Sequence, residues 1–445
     1  MKIGLVGSGG REHALAIALP RNFSRDSLFV FAGSQNPGIN QIAGDVKIGN
    51  MKDVSEMTEY FSSVGAELVV IGPEVPLTNG AVDALRAHGI PAIGPTQSQA
   101  RLEGDKSFMR QLLKDRVGWG SPAWQVVTSA DAARKFIQSV GQVAVKPLGL
   151  TGGKGVRVMG VHLHSIDEAV ADAESLILKE GSVLLEERLI GEEFSRMAFV
   201  ADGKLAPMPV AQDFKYAYDG NKGNMTGGMG AYTTANFSMP FISADDLSQA
   251  DQLMVEVVAA LEKETGQPYR GFLYGQFMVT AKGPRIIEFN VRLGDPEGIN
   301  EMTLFNGDLP LFLAALAAGK IDSASLSFKP QASVVKYLVP SDYPDNKPDP
   351  INFNLKEHLI EQAGFSVVFA SVQRAGEGYQ TLGSRTLAIV GLGENPGGIS
   401  DRIENLLSQC QPSVLRHRKD VGDGSILQGK VEVMKQIKGG ITHEN

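Results

Sequence analysis

Four short apolar runs, Lys2 to Val6, Leu28 to Ala32, Leu68 to Gly72 and Pro91 to Gly94, mark the first hundred residues. Between them, at His13 to Leu19, Val54 to Ser63 and Asn79 to His88, apolar residues recur every three or four positions. Short uninterrupted apolar runs suit strands buried on both faces, and a β-α-β order with brief connections predicts a parallel, doubly wound sheet over residues 1–104. A helix is expected over Leu102 to Lys114, ended by Trp119-Gly120-Ser121-Pro122. A small lid unit is expected over about 123–190, with strands near Ala123 to Val127, Gln142 to Lys146, Gly155 to Gly160 and Ser182 to Glu186, and helices at Ala130 to Ser139 and Ser165 to Lys179. Runs with antiparallel character continue to about residue 330. The segment 331–435, with strands near Ser333 to Val339, Phe365 to Val372 and Thr386 to Val390 and a helix at Ile399 to Ser408, reads as a compact C-terminal domain. Only the tail 436–445 looks loose. The expectation is a multidomain protein of mixed α/β and α+β class.

Composition narrows the function more than the fold. At 445 residues the chain exceeds what one hydrophobic core supports. Its 51 glycines call for many tight loops. No apolar run approaches the ~18 residues of a membrane span, and Met1-Lys2 leads directly into a strand, so a cytoplasmic protein without a membrane partner is expected. Cys410 is the single cysteine, which excludes an internal disulfide and a cysteine-built metal site. A net charge of −8 with no Lys/Arg block argues against a nucleic-acid partner and for small substrates.

Chemistry concentrates in a few stretches. Val143-Ala144-Val145-Lys146 ends a strand on a lysine that is costly to bury unpaired. The loop Pro147 to Val156 follows, with Gly149, Gly152, Gly153 and Gly155 around Lys154, and can turn backbone N–H groups toward a phosphate. From the residues alone this is either a triphosphate clamp or a solvated hairpin turn. Next, Tyr274 to Val279 and Arg285 to Arg292 flank Ala281-Lys282-Gly283 and form a hairpin. With the loop centred on Lys282, Gln276 pairs Glu288, and alternation puts Glu288, Asn290 and Arg292 on one face and Phe289 and Val291 on the other. That face offers two hard oxygen ligands and a cation, as a Mg²⁺-nucleotide requires, or else an exposed polar face. Gly294-Asp295-Pro296-Glu297 adds two acids. The stretch Leu184 to Phe194 leaves the lid and could receive an adenine and a ribose. Asp213, Lys215 and the Gly227-Gly228 loop read as a closing substrate loop or a long surface excursion. Finally, Gly7-Ser8-Gly9-Gly10-Arg11-Glu12 follows the first strand, but Glu12 occupies the third glycine position of a dinucleotide fingerprint and the second strand ends in Ala32-Gly33-Ser34 without an acid. Both halves of the fingerprint fail, which argues against an NAD-dependent oxidoreductase; a helix N-terminus with Arg11 as an added cation remains.

In combination, GSGGREHAL, Gly72-Pro73-Glu74-Val75-Pro76-Leu77, Lys146 with GLTGGKGV, TGGMGAY, Gly271-Phe272-Leu273-Tyr274, EFNVRLGDPE and Arg418-Lys419-Asp420-Val421-Gly422 closely resemble the phosphoribosylamine–glycine ligase (GAR synthetase) family of ATP-grasp enzymes, nearly end to end. KPLGLTGGKGV, EERLIGEEF and YGQFM resemble its archaeal branch. The resemblance implies a carbon–nitrogen ligase of purine biosynthesis. ATP phosphorylates glycine, and 5-phosphoribosylamine attacks the glycyl phosphate, giving glycinamide ribonucleotide, ADP and phosphate. It implies that Lys106 and Lys146 contact the ATP phosphates under the Gly149 to Gly155 loop, and that Glu187, Leu189 and Glu193 lie along adenine and ribose. Glu288, Asn290 and Gln276 would hold Mg²⁺ or Mn²⁺. Lys146, Arg292 and Asp295 would carry the catalysis. The substrates would meet Gly9, Gly10, Arg11, Glu74, Asp213, Lys215, Gly227, Gly228, Arg292 and Asp295, with the GSGG turn cradling the phosphoribosyl group. A monomer is expected. The family's QDHKR reads Gln212-Asp213-Phe214-Lys215-Tyr216 here and its PNTGGMG begins Asn224-Met225-Thr226, so no imidazole or guanidinium role carries over in that loop. A related ligase with another acceptor, or a silent nucleotide-binding protein on the same fold, are the competing readings.

Overall fold

The computed structural model describes residues 1–20, 22–149, 155–321, 326–345 and 349–439. The apolar runs form an all-parallel five-stranded sheet of β1 (Ile3–Val6), β2 (Leu28–Ala32), β3 (Asp45–Ile48), β4 (Leu68–Ile71) and β5 (Ala92–Ile93), in the order β3-β2-β1-β4-β5. Helices α1 (Gly10–Ile17), α2 (Pro37–Ile42), α3 (Val54–Ser63), α4 (Glu74–Thr78) and α5 (Ala81–Ala87) connect them. Val69 and Ile71 of β4 enter one core cluster and Leu68 and Val70 another, so both sheet faces are covered, which is why β4 has no polar alternation. Strand β3 escaped the pattern because Asp45-Val46-Lys47-Ile48 forms the sheet edge, where polar side chains stay in water.

The helix expected over Leu102 to Lys114 is broken. Asp105 ends α6 (Gln97–Gly104) and caps α7 (Lys106–Leu112), its Oδ1 accepting from the amides of Ser107 (3.1 Å) and Phe108 (3.0 Å). The break puts Lys106 at the first position of the new helix, at the mouth of a cleft.

The strands and helices expected between residues 123 and 190 are present. Strands β6 (Trp124–Val127), β7 (Val143–Lys146), β8 (Arg157–Val158) and β9 (Val183–Glu187) form an antiparallel sheet ordered β6-β9-β7-β8, with α8 (Ala130–Val140) and α9 (Ile166–Glu180). Val143 and Val145 face the lid's own core, so Ala144 and Lys146 face the cleft.

The chain returns as β10 (Glu192–Ala201) and β11 (Lys204–Asp213), a ribbon of β12 (Tyr216–Tyr218) and β13 (Lys222–Met225), then β14 (Gly230–Thr233), helix α10 (Ala244–Thr265), and the hairpin β15 (Arg270–Thr280) and β16 (Gly283–Asn290). Helices α11 (Glu297–Leu304) and α12 (Leu309–Ala317) follow. The segment from residue 331 sends most of its strands into the central sheet. Its β17 (Ala332–Pro340), β18 (Asn352–Phe353), β19 (Ser366–Phe369), β20 (Val372–Ala375), β21 (Gly378–Thr381), β22 (Leu387–Gly393) and β23 (Leu415–Arg416) are accompanied by α13 (Glu357–Gln362), α14 (Pro396–Cys410) and α15 (Gly424–Lys438). Except for the small sheet β18-β21-β20, these strands continue the central one, ordered β16-β15-β10-β11-β14-β17-β22-β19 with β23 beside β17. The junction is β14, which pairs β11 on one edge and β17 on the other. Strand partners are a tertiary matter, and a run of apolar residues does not say which edge it will join. The tail also begins later than expected: α15 runs to Lys438, whose ammonium meets Asp246 at 2.5 Å. Residues 440–445 lie outside the described residues. Among the described residues no helix is long and apolar enough to cross a membrane.

Candidate active site

The first sheet, the lid and the central sheet enclose a cleft of about 870 Å³. At the lid side Lys146 Nζ donates to Glu186 Oε2 at 2.6 Å, and Arg110 on α7 grips the same carboxylate through Nε (2.6 Å) and Nη2 (2.9 Å). Burial alone would push the Glu186 carboxyl up, but the Arg110 guanidinium and the Lys146 ammonium outweigh it and hold it down to about 2. This triad explains how a lysine can end a buried strand: its charge is compensated by an acid on the neighbouring strand. Lys106 Nζ donates to the Gly149 carbonyl at 2.7 Å, so the helix break and the glycine loop meet at the same place. Gly155 closes the described part of that loop with φ 83°, a conformation that favours glycine. Gly152, Gly153 and Lys154 lie outside the described residues.

The hairpin pairs Gln276 with Glu288, as expected, through a different geometry. The turn is two residues long, with Thr280 opposite Gly283, and a bulge at Ile287 adds back the residue needed for that register. Arg110 binds the bulge, donating to the carbonyls of Ile286 (3.1 Å) and Ile287 (2.7 Å). Glu288 and Asn290 line the cleft. Among the described residues Glu288 has no hydrogen-bond or ion-pair partner, while Asn290 Oδ1 accepts from Arg292 Nη2 at 2.9 Å. No group of three His, Cys, Asp or Glu is placed to hold a metal among the described residues. An unpartnered carboxylate beside an amide oxygen nevertheless suits a hard cation that takes its other ligands from phosphates and water. Gln276, expected as a third ligand, does not line the cleft. It is fully buried, its oxygen accepting from the Ser195 hydroxyl (3.0 Å) and the Tyr274 hydroxyl, and its nitrogen donating to Glu193 (2.8 Å). It positions Glu193.

At the opposite end Arg292 Nη2 meets Glu103 at 3.0 Å, while its Nε lies 3.9 Å from Glu74 and has no hydrogen-bond partner among the described residues. Burial disfavours its charge, but Glu103 and Glu74 outweigh that and raise its pKa further. Asp295 accepts from the Tyr337 hydroxyl (2.6 Å) and pairs with Arg385 (3.2 Å). Arg385 also donates to the carbonyls of Gly227 (2.8 Å), Gly228 (3.0 Å) and Asp295 (2.7 Å), so one guanidinium from the C-terminal segment ties the TGGMG loop to the GDPE loop. Gly228, at φ 111°, packs on Pro296.

The GSGG turn reaches the cleft, since Gly9 and Arg11 line it, but it is not an open cradle. Glu12 Oε2 accepts from the Gly9 amide (2.7 Å) and its Oε1 from Arg11 Nε (2.6 Å), while Arg11 Nη1 donates to Leu293 O (2.9 Å). The expected free cation and one expected donor are therefore already committed to an internal carboxylate. Gly10 is buried, and a Cβ there would collide with the Tyr337 hydroxyl; packing demands that glycine. A Cβ on Gly9 would lie 3.8 Å from an Asp295 oxygen, so the GSGG and GDPE loops face each other.

Between these ends Lys215 meets Glu193 (3.2 Å) and Asp213 (3.9 Å). Burial, opposed by Lys215 and reinforced by Glu297 and Glu193, pushes the Asp213 carboxyl up to about 7. Glu187 and Leu189 line the lid exit, and Glu187 accepts from the Ala123 amide at 3.1 Å. Sequence reasoning missed Arg110, Glu103, Tyr337, Arg385 and Lys430. Glu186 carried a readable signal, an acid in an apolar strand that needs a partner; the others declare themselves only by contact.

The chain is similar to known proteins along nearly its whole length. Residues 1–103 match the phosphoribosylglycinamide synthetase N domain, and residues 104–298 match the phosphoribosylglycinamide synthetase ATP-grasp (A) domain. The chain is 41% identical over 445 residues to the phosphoribosylamine–glycine ligase of Methanosarcina acetivorans, covering 100% of this chain and 99% of that protein. It is 39% identical to the ligase of the same name from Thermococcus gammatolerans, covering 98% of each. The crystal structure of phosphoribosylamine–glycine ligase from Thermotoga maritima superposes with a TM-score of 0.77 at 26% identity, covering 94% of this chain and 100% of that one.

Proposed function

The chain belongs to the phosphoribosylglycinamide synthetase family, and from that premise we propose that the cleft joins glycine to 5-phosphoribosylamine with ATP as phosphoryl donor. A carboxylate oxygen of glycine attacks the γ-phosphorus, and the bond from that phosphorus to the β,γ-bridging oxygen breaks to release ADP. The amine nitrogen of phosphoribosylamine then attacks the carbonyl carbon of glycyl phosphate, loses a proton, and phosphate departs. Glycinamide ribonucleotide remains.

No step needs a covalent bond to the protein, so these residues act by position and charge. Lys146, aimed by Glu186, and Lys106 on α7 would hold the triphosphate. Glu187 and Leu189 at the lid exit would line adenine, and Glu193 would accept from the ribose hydroxyls. Glu288 and Asn290 would hold Mg²⁺ or Mn²⁺, which would neutralise phosphate charge when bound. Arg292, oriented by Glu103 and Glu74, would bind the glycine carboxylate and then the acyl phosphate. Asp295, clamped by Tyr337 and Arg385, would fix the amine nucleophile opposite the Gly9 turn. Lys215, Asp213 and the loop at Gly227 and Gly228 would close over the substrates.

The observation that carries this reading is the placement of the Lys106–Lys146 pair, the Glu288–Asn290 oxygens and the Arg292–Asp295 cluster along one cleft. ADP release measured with each substrate omitted in turn tests it. Release is expected only with glycine and phosphoribosylamine both present. Turnover with another amino acid and none with glycine would overturn the assignment in favour of a ligase with a different acceptor.

A further inference from the structure

The nucleotide end of the cleft has a wall contributed by the end of the chain. Helix α15 is docked by Met434, which is buried, and by Ile426, Leu427, Val431 and Ile437, which are half-buried against the core. One of its polar side chains, Lys430, lines the same cleft as the proposed ATP site. Its Nζ lies 3.3 Å from Glu192 Oε2 and 5.4 Å from the centre of the Phe214 ring, and only 16% of the side chain is exposed. An ammonium has three N–H donors and no acceptor. The ion pair with Glu192 engages at most one of them and the aromatic face none directly, so donor capacity is left over. The residue adjoining its partner is Glu193, a pure acceptor already served by Lys215 and Gln276.

A ribose hydroxyl both donates and accepts. Glu193 can take the hydroxyl proton but cannot supply the donor that the hydroxyl oxygen wants. We propose that Lys430 supplies it, making the C-terminal helix part of the nucleotide site and Lys430 a determinant of selectivity for a ribonucleoside triphosphate over its deoxy counterparts. This rests on the reading that the ribose lies at Glu193.

The test compares ATP, 2′-deoxy-ATP and 3′-deoxy-ATP in the ADP-release assay, using the full chain carrying Lys430→Met, Glu193→Gln or Lys438→Ala. Lys430→Met is expected to raise the KM for ATP by about 10-fold, as the loss of one charge-assisted hydrogen bond requires. It should leave the KM of glycine unchanged and narrow the gap between ATP and one deoxy analogue by the same factor. Lys438→Ala breaks the contact with Asp246 outside the cleft and should lower Tm while leaving nucleotide selectivity at the wild-type value. A Lys430→Met enzyme that discriminates against both deoxy analogues as the wild type does overturns the proposal. If Glu193→Gln raises the KM for ATP and Lys430→Met does not, only this inference fails. If neither does, the placement of the ribose fails with it.

Discussion

Replacing Glu186 by Gln probes the link between the lid and the phosphate site with the smallest change of shape. The Glu186 carboxyl is held at about 2 against a reference of 4.5, mainly by Arg110 and Lys146 overcoming its burial. That depression corresponds to about 3 kcal/mol of stabilisation of the charged form in the native state. Because the folded value is depressed, that contribution is complete above the unfolded value and is lost as pH falls toward 2, with roughly two fifths of it gone by pH 3.5. The Gln variant lacks it at every pH and leaves two buried cations facing a neutral amide, so it should be about 3 kcal/mol less stable at pH 7. With an unfolding entropy of about 2.1 cal/mol/K per residue, this lowers Tm by about 3 °C if the chain unfolds as a unit. Calorimetry of both proteins at pH 7 and pH 3.5 measures it: the Tm gap should shrink by roughly two fifths at the lower pH. Lys146 also loses its aim, so the KM for ATP should rise while that for glycine stays. A variant as stable as wild type at pH 7, or a gap independent of pH, would refute the electrostatic account of the triad.

Other consequences are open to direct measurement. Glu288→Ala should abolish metal-dependent turnover, at least 100-fold, while Tm moves by less than about 0.5 kcal/mol equivalent, since the carboxylate has no partner among the described residues; unchanged activity would show the metal lies elsewhere. Burial pushes the Asp213 carboxyl up toward neutrality, so if its charged form holds Lys215 over the substrates, kcat/KM should fall as pH drops below neutral and Asp213→Asn should remove that limb. A limb that survives the substitution belongs to another group. His13 is buried, accepts from the Phe369 amide at 2.8 Å, and is held down to about 4 by burial. Its contribution to stability is complete above 6.5 and about 2 kcal/mol of it is lost by pH 5. His13→Asn, which keeps an acceptor near Nδ1, should flatten the fall in urea midpoint between pH 7 and pH 5; an unaltered slope would assign the fall elsewhere.

Much of this protein was legible in one dimension because its signals are local. The buried strands of the first sheet and of the lid follow from side-chain periodicity, a property of adjacent residues, whereas the Gln276–Glu288 pairing matches the expectation only because the bulge at Ile287 offsets a shorter turn. Lys146, Glu288, Asn290 and Arg292 could be picked out because a polar residue at the end of an apolar strand demands a reason. The order of motifs carried the family resemblance.

The remainder depends on which distant surfaces meet. A single expected helix became two because Asp105 found a capping role, and this set Lys106 at the cleft. Gln276 pairs with Glu288 across the hairpin, yet burial beside Ser195 and Tyr274 turned an expected metal ligand into a support for Glu193. Arg11 looked free, but Glu12 and Leu293 use it. Arg385 and Lys430 come from a segment with no visible chemistry, and they reach the cleft only because β14 joins β17 and extends one sheet from the nucleotide site into the C-terminal segment. Local periodicity fixes which way a side chain points from its own strand; the charge, donor or ring that it meets there is decided by packing between residues far apart in sequence.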